Sequence, residues 1–235
     1  MKSKAGFLIK IKQLFFPLNW CLLCGQEATE SGLCEACIEE VKKLKYCSQC
    51  GTVFKKGSTH CFFCQQITQY PYREVVVAAP YSGNLRHRLR EFKYKNKTWL
   101  KRPLTSLLLV ALQDKDLREF TVVPVPMFHD KEKERGYNQA ALLAQNVAYL
   151  LKLPYAKNAL VRVVDTPPLY SLKQMERKTA LKGAVASGTD SVLGQKVLLI
   201  DDISTTCTTT SECARILLAA GATEVLVAVV ASTQS

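Results

Sequence analysis

The chain has 235 residues, 48% hydrophobic and 22% charged, which excludes a fibrous or wholly disordered protein and leaves room for one full domain plus a small one. Lys and Arg outnumber Asp and Glu by 32 to 20, a formal charge of +12 that favours nucleic acid, phosphorylated ligands or an acidic membrane face as partners. No stretch approaches the ~20 apolar residues of a membrane span, and no secretory signal is convincing, so a cytoplasmic protein without a transmembrane segment is expected.

Residues 1–20 are apolar and basic, with Lys10 and Lys12 interrupting the apolar run. Such a segment suits peripheral association with the inner face of a membrane as an amphipathic helix, or packing against its own protein. Residues 21–66 hold eight of the ten cysteines, all in Cys-x-x-Cys pairs: Cys21/Cys24, Cys34/Cys37, Cys47/Cys50 and Cys61/Cys64. Disulfide frameworks rarely pair so uniformly, whereas zinc knuckles require it, because the turn aims both thiolates the same way. Gly25 and Gly51, each directly after a second cysteine, permit the tight backbone of a knuckle. Nine residues separate Cys24 from Cys34 and ten separate Cys50 from Cys61, gaps that suit a small ribbon or hairpin. Two zinc sites in sequence order are expected; an interleaved pairing and a single occupied site stay open. With all ligands thiolates, no position remains for a catalytic water, so the zinc holds the fold. His60 is read as a bystander.

A polar hinge follows around Gln65 and Gln66. From Glu74 onward, short apolar runs alternate with amphipathic stretches, the rhythm of an α/β fold: an open parallel sheet with helices on both faces. Strands are expected at 74–79, 121–126, 160–164, 196–200 and 224–231. Helices are expected at 83–94, 102–113, 137–151, 173–182 and 209–220, the last ending at Gly221 in a left-handed position. The stretch between 126 and 137 reads as a charged loop, and Thr166-Pro167-Pro168 opens another. Within and after the first helix of this domain, Arg86, Arg88, Arg90, Lys93, Lys95 and Lys97 interleave with Phe92, Tyr94 and Trp99. Cations along a groove with aromatic platforms suit single-stranded nucleic acid. A solvated helix face whose aromatics belong to the core is the alternative, and Phe92 is assigned to the core.

The most informative stretch runs from Lys196 to Thr210. A buried strand delivers Asp201 and Asp202 at its carboxyl end, the edge where open α/β sheets bind ligands. These acids can accept hydrogen bonds from two vicinal ribose hydroxyls. The run Ser204, Thr205, Thr206, Cys207, Thr208 and Thr209 then leads into a helix, offering a phosphate hydroxyls, backbone N–H groups and a helix N-terminus. An ordinary strand–turn–helix with a Ser/Thr-rich cap is the alternative. Four apolar residues, two acids, two spacers, then Thr-Thr and a small residue resembles the phosphoribosyl diphosphate (PRPP) motif of type I phosphoribosyltransferases. That resemblance implies a phosphoribosyltransferase-like domain over 72–235. In it Asp201 and Asp202 hold the ribose, Ser204 to Thr209 cradle the 5′-phosphate, and magnesium accompanies PRPP. Two departures matter: the family usually has Gly where Cys207 stands, and purine-salvage members carry an Asp base where Thr205 stands.

Val123-Pro124-Val125-Pro126, Glu134-Arg135-Gly136-Tyr137-Asn138-Gln139-Ala140, Thr166-Pro167-Pro168 and Glu176-Arg177-Lys178 are similar to signatures of the ComF family of competence proteins. This resemblance covers nearly the whole chain. It implies a role in natural transformation: handling incoming single-stranded DNA in the cytoplasm, with a competence helicase and a recombination mediator as partners. Arg135 sits in a loop with Lys131 and Lys133, where the resemblance to phosphoribosyltransferases implies that the diphosphate is held and a guanidinium gives a bidentate grip; a solvated loop is the alternative. Three functions compete: a DNA-uptake protein that binds PRPP and DNA without turnover, an active phosphoribosyltransferase on an unidentified acceptor, and a zinc adaptor for a helicase with a vestigial ribose site. The missing base and Cys207 favour the first over the second, and the basic charge favours it over the third.

Overall fold

The computed structural model describes residues 20–54, 61, 64, 70–165 and 183–233. Residues 1–19, His60, Gln65 and Gln66, the Thr166-Pro167-Pro168 loop, Glu176-Arg177-Lys178 and the helix expected at 173–182 lie outside the described residues.

Four apolar runs form one parallel sheet: β1 (Glu74–Pro80), β2 (Phe120–Pro124), β5 (Lys196–Ser204) and β6 (Glu224–Ser232), in the order β1-β6-β5-β2. The central strands read as unbroken Val, Leu, Ile and Ala because both of their faces are covered. On one face Val76, Ala78, Leu198, Ile200, Leu226 and Ala228 pack with helices α2 (Gly83–Tyr94), α3 (Lys101–Leu112) and α5 (Gln139–Leu151). On the other, Val75, Val77, Val197, Leu199, Val225 and Val227 pack with α6 (Thr208–Ala219). This is the expected parallel sheet with helices on both faces. After α6, Gly221 takes φ +93°, and a Cβ there would sit 2.5 Å from Leu193 Cδ1.

The cysteine-rich region has too few residues for a core of its own, and it borrows both cores of the sheet. β1 is an edge strand, and an edge left open invites pairing with other chains. Here the Val75 N–H donates to the Ser48 carbonyl (2.6 Å) and the Tyr72 hydroxyl to the Gln49 carbonyl (2.6 Å). Cys21, Leu22, Leu33, Cys37 and Val41 join the first core, while Cys50 and Val53 join the second. The region therefore straddles the sheet edge.

Several elements depart from expectation. The helix α1 (Glu35–Lys42) follows Cys34 within the cysteine-rich region. The stretch read as a charged loop contains the helix α4 (His129–Arg135), with Asp130 and Glu132 in its first turn and Lys133 and Arg135 in its last. That charge order suits the helix dipole, but α4 buries no residue, so no apolar period announces it. The helix expected from 137 begins at Gln139, because Asn138 caps it through the N–H groups of Ala140 (2.9 Å) and Ala141 (3.4 Å). The strand at 160 is short, β3 (Leu160–Arg162), and pairs antiparallel with β4 (Val185–Ser187) outside the main sheet. β5 runs on to Ser204 instead of stopping at Ile200. No described helix is long and apolar enough to cross a membrane.

Candidate functional site

The eight paired cysteines gather in two groups, Cys21/Cys24/Cys34/Cys37 and Cys47/Cys50/Cys61/Cys64, with the ligand atoms of each group within 4.8 Å of one another. The grouping follows sequence order. Each group opens on the same turn: the Gly25 N–H donates to the Cys21 carbonyl (2.9 Å) and the Gly51 N–H to the Cys47 carbonyl (2.8 Å). Gly25 and Gly51 sit at φ +78° and +72°. Sulfur separations are 3.6 Å for Cys24–Cys34, 3.5 Å for Cys47–Cys64 and 3.3 Å for Cys50–Cys61. Four thiolates at 2.3 Å from a tetrahedral zinc lie about 3.8 Å apart, so both groups fit the ion with little movement. Four sulfur ligands leave no open coordination position, and the role such zinc supplies is structural.

At the carboxyl end of the sheet, β5 presents Asp201 and Asp202. Because β5 continues through both, strand alternation sends them to opposite sides. Asp202 is buried and turns toward α2, where its Oδ2 lies 3.0 Å from Lys93 Nζ in an ion pair. Asp201 lies close enough to Cys213 of α6 and to Arg162 of β3 for its charge to act on both. Burial, then the neighbouring Asp202 charge, push Asp201 up to about 7, against the opposing pull of Lys93. The charges of Asp202 and Asp201 outweigh burial at Lys93 and raise its pKa. Each carboxylate also accepts from the next backbone N–H, Asp201 Oδ1 from Asp202 (2.8 Å) and Asp202 Oδ1 from Ile203 (2.8 Å).

The loop beyond β5 is shaped by Cys207, which sits in the left-handed region at φ +54°. Its buried thiol donates to the Cys50 carbonyl (3.0 Å) and lies 3.2 Å from Ser204 Oγ. Thr206 and Thr208 share a hydroxyl contact (2.7 Å), and Thr210 donates to the Cys207 carbonyl (3.0 Å). Thr205, Thr206, Thr208 and Thr209 are partly exposed. α6 begins here with no side-chain cap on its first N–H groups and no acid in its first turn. An uncapped helix start with flanking hydroxyls is chemically suited to an anion.

The block 135–139 is tied to α2 and to the end of β2. Arg135, in the last turn of α4 and not in a loop, donates to Gln139 Oε1 (2.8 Å) and lies 5.2 Å over the ring of exposed Tyr94. Gly136 ends α4 at φ +86°, and the Tyr137 hydroxyl donates to the Phe92 carbonyl, tying this turn to α2. Asn138 donates to the Val125 carbonyl (3.0 Å) while capping α5. Lys131 pairs with Asp165, and Lys133 is exposed.

The six basic positions on and after α2 separate into three kinds. Arg86, Arg90 and Lys95 are exposed, with Arg86 lying 5.9 Å over the Tyr81 ring. Arg88 and Lys97 bind buried Glu91 at 2.8 and 2.5 Å, and Lys95 lies 3.9 Å from it. Arg88 also stacks over Trp20, 4.5 Å from its centroid. Lys93 points instead to Asp202. Phe92 is fully buried, whereas Tyr94 and Trp99 are exposed. The Glu91 hub escaped the sequence reading, although its spacing of three and four from Arg88 and Lys95 was a usable signal. Nothing local marked the Lys93–Asp202 pair.

A model of the double zinc ribbon domain matches residues 11–69. The chain is 31% identical over 217 residues to "Competence protein F" of Haemophilus influenzae, covering 88% of this chain and 94% of that protein. It is 29% identical over 215 residues to "DNA utilization protein YhgH" of Salmonella typhimurium, with 88% and 94% covered. To "Competence protein ComFC" of Bacillus subtilis it is 26% identical over 228 residues, with 86% and 89% covered.

Proposed function

The chain belongs to the competence protein F family, and on that premise we propose that it serves DNA uptake by binding incoming single-stranded DNA along α2 and PRPP at the carboxyl end of β5. The role in competence follows from the relatives, two of them named competence proteins and one a DNA utilization protein. The observation that carries the ligand reading is the pair Asp201 and Asp202 at the end of β5, with Lys93 3.0 Å from Asp202, a few residues ahead of the uncapped, hydroxyl-lined start of α6. A ligand touching both acids lies across the end of the strand, its ribose hydroxyls donating to the carboxylates and its 5′-phosphate accepting from residues 204–209. In this reading Arg135, stacked on Tyr94, grips a second phosphate group. Magnesium arrives with the diphosphate and offsets its charge.

The DNA surface is narrower than the sequence pattern. Glu91 ties up Arg88 and Lys97, and Lys93 serves the acids, so Arg86, Arg90 and Lys95 with exposed Tyr94 and Trp99 carry the contact. Three phosphate contacts to a single strand give a salt slope of about −2. Thr205 offers no general base where purine-salvage transferases have one, which favours binding without turnover. The test is a transformation assay on a strain carrying Asp201→Ala/Asp202→Ala at unchanged protein level and zinc content. The reading expects transformation to fall at least about tenfold; wild-type transformation frequency refutes it.

A further inference from the structure

The second four-cysteine group touches the loop after β5 through backbone. The Cys207 thiol donates to the carbonyl of Cys50, one of the four sulfur ligands, across 157 positions of sequence. Both residues are essentially buried, at 2% and 1% exposure, so no water replaces that contact. The Cys50 carbonyl is itself fixed by the knuckle, in which the Gly51 N–H donates to Cys47 and the Cys47 N–H to Thr52 (2.8 Å each). On its other side, Cys207 holds Ser204 through the 3.2 Å contact and receives Thr210 at its carbonyl.

Cys207 also occupies a left-handed conformation, φ +54°, which is strained for a residue with a Cβ. Glycine would adopt it freely, so something the thiol does offsets that strain. The first group, Cys21/Cys24/Cys34/Cys37, packs into the opposite core with α3, and among the described residues none of its cysteines hydrogen-bonds to Cys207. Further bonds seat the second knuckle: Gln49 Nε2 to the Arg73 carbonyl (3.2 Å) and Tyr72 to Gln49. A Cβ at Gly51 would press on Val77 Cγ2 at 3.1 Å, so the knuckle lies hard against the sheet.

We propose that zinc in the second group, and not in the first, sets the conformation of the 204–209 loop, with Cys207 as the positioning residue that transmits it. With zinc bound, four thiolates hold the knuckle and the Cys50 carbonyl stays where the thiol meets it. Without zinc, the knuckle keeps only its backbone bonds and the loop loses its anchor. Through the ligand reading above, and only through it, loss of this zinc also weakens ribose-phosphate binding.

The test uses the full-length, zinc-loaded chain without ligand. Hydrogen–deuterium exchange of residues 204–209 is compared between wild type, Cys61→Ser and Cys24→Ser. Cys61→Ser is expected to speed exchange in the loop about tenfold, within the usual range of coupling between sites, while Cys24→Ser leaves it unchanged. Cys207→Gly should speed it similarly and make a further Cys61→Ser change silent there; Cys207→Ser, which keeps a donor, should restore most of the protection. Should Cys61→Ser unfold the sheet, linkage supplies the reverse reading in Cys207→Gly, where one of the two zinc ions should be held about tenfold more weakly in equilibrium competition with a chelator. Loop exchange moved equally by both cysteine variants, or zinc affinity unchanged in Cys207→Gly, overturns the proposal. Failure of wild-type protein to bind ribose 5-phosphate would overturn the ligand reading and leave the coupling standing.

Discussion

Replacing Lys93 with Met leaves Asp202 buried without its counter-charge. Asp202 has only 7% of its side chain exposed and Lys93 has 23%, with 3.0 Å between Nζ and Oδ2. Removing one member of a fully buried pair costs about 3–5 kcal/mol, because the remaining charge is uncompensated. The partial exposure of Lys93 admits some water, which brings the expected loss to about 2–3 kcal/mol. Met keeps the aliphatic bulk of the stem, so a cavity adds little. Urea unfolding of the zinc-loaded protein at pH 7.5 measures this, in a cycle with Asp202→Asn. On the Asn background the same Lys93→Met change should cost under about 1 kcal/mol. If the two substitutions add to within about 0.5 kcal/mol, the pair contributes nothing and the electrostatic account of the acid site is wrong.

Three further outcomes follow from the same geometry. Asp201 binds its proton more tightly folded (about 7) than unfolded (3.8), so the stability it contributes is complete below about pH 4 and lost as pH rises through 7; Asp201→Asn should flatten that fall and be the more stable form at pH 8 in urea melts. The hydrogen bonds from Lys97 and Arg88 hold Glu91 at about 2, so its contribution is present above about pH 4.5 and lost as pH falls toward 2. Glu91→Gln should cost about 1 kcal/mol after screening and should steepen the salt dependence of single-stranded DNA binding by about one unit, read by fluorescence anisotropy, because Arg88 and Lys97 are released. Tyr137→Phe removes the bond to the Phe92 carbonyl and should lower stability by about 1–2 kcal/mol in the same urea assay, leaving zinc content unchanged.

What could be read from the sequence was what local pattern encodes. The Cys-x-x-Cys pairs declare themselves because a knuckle is a four-residue turn, and Lys196 to Ile200 because a strand covered on both faces must be apolar throughout. α4 stayed hidden because helices are recognised by an apolar stripe, and it has none. β4 is three residues long, below the length at which alternation can be seen, and β3, expected over 160–164, keeps only Leu160–Arg162 because its partner is that short strand. The acids were legible as a pair but not in their arrangement: adjacency suggests one shared clasp, whereas a strand that runs on to Ser204 sends Asp201 toward α6 and Asp202 toward Lys93. The uniform basic stripe dissolved for the same reason, since only tertiary packing decides which lysine meets Glu91, which meets Asp202 and which meets solvent. The Cys50–Cys207 contact joins residues 157 positions apart, and no window of sequence spans it.

Titration of the zinc-loaded protein with PRPP and magnesium in a calorimeter, beside Asp201→Asn/Asp202→Asn, asks most directly whether the end of β5 is a ribose-phosphate site. The account predicts one molecule bound per wild-type chain, and affinity reduced at least about tenfold when both carboxylates become amides. No heat from folded wild-type protein, or equal affinity in the amide variant, contradicts it.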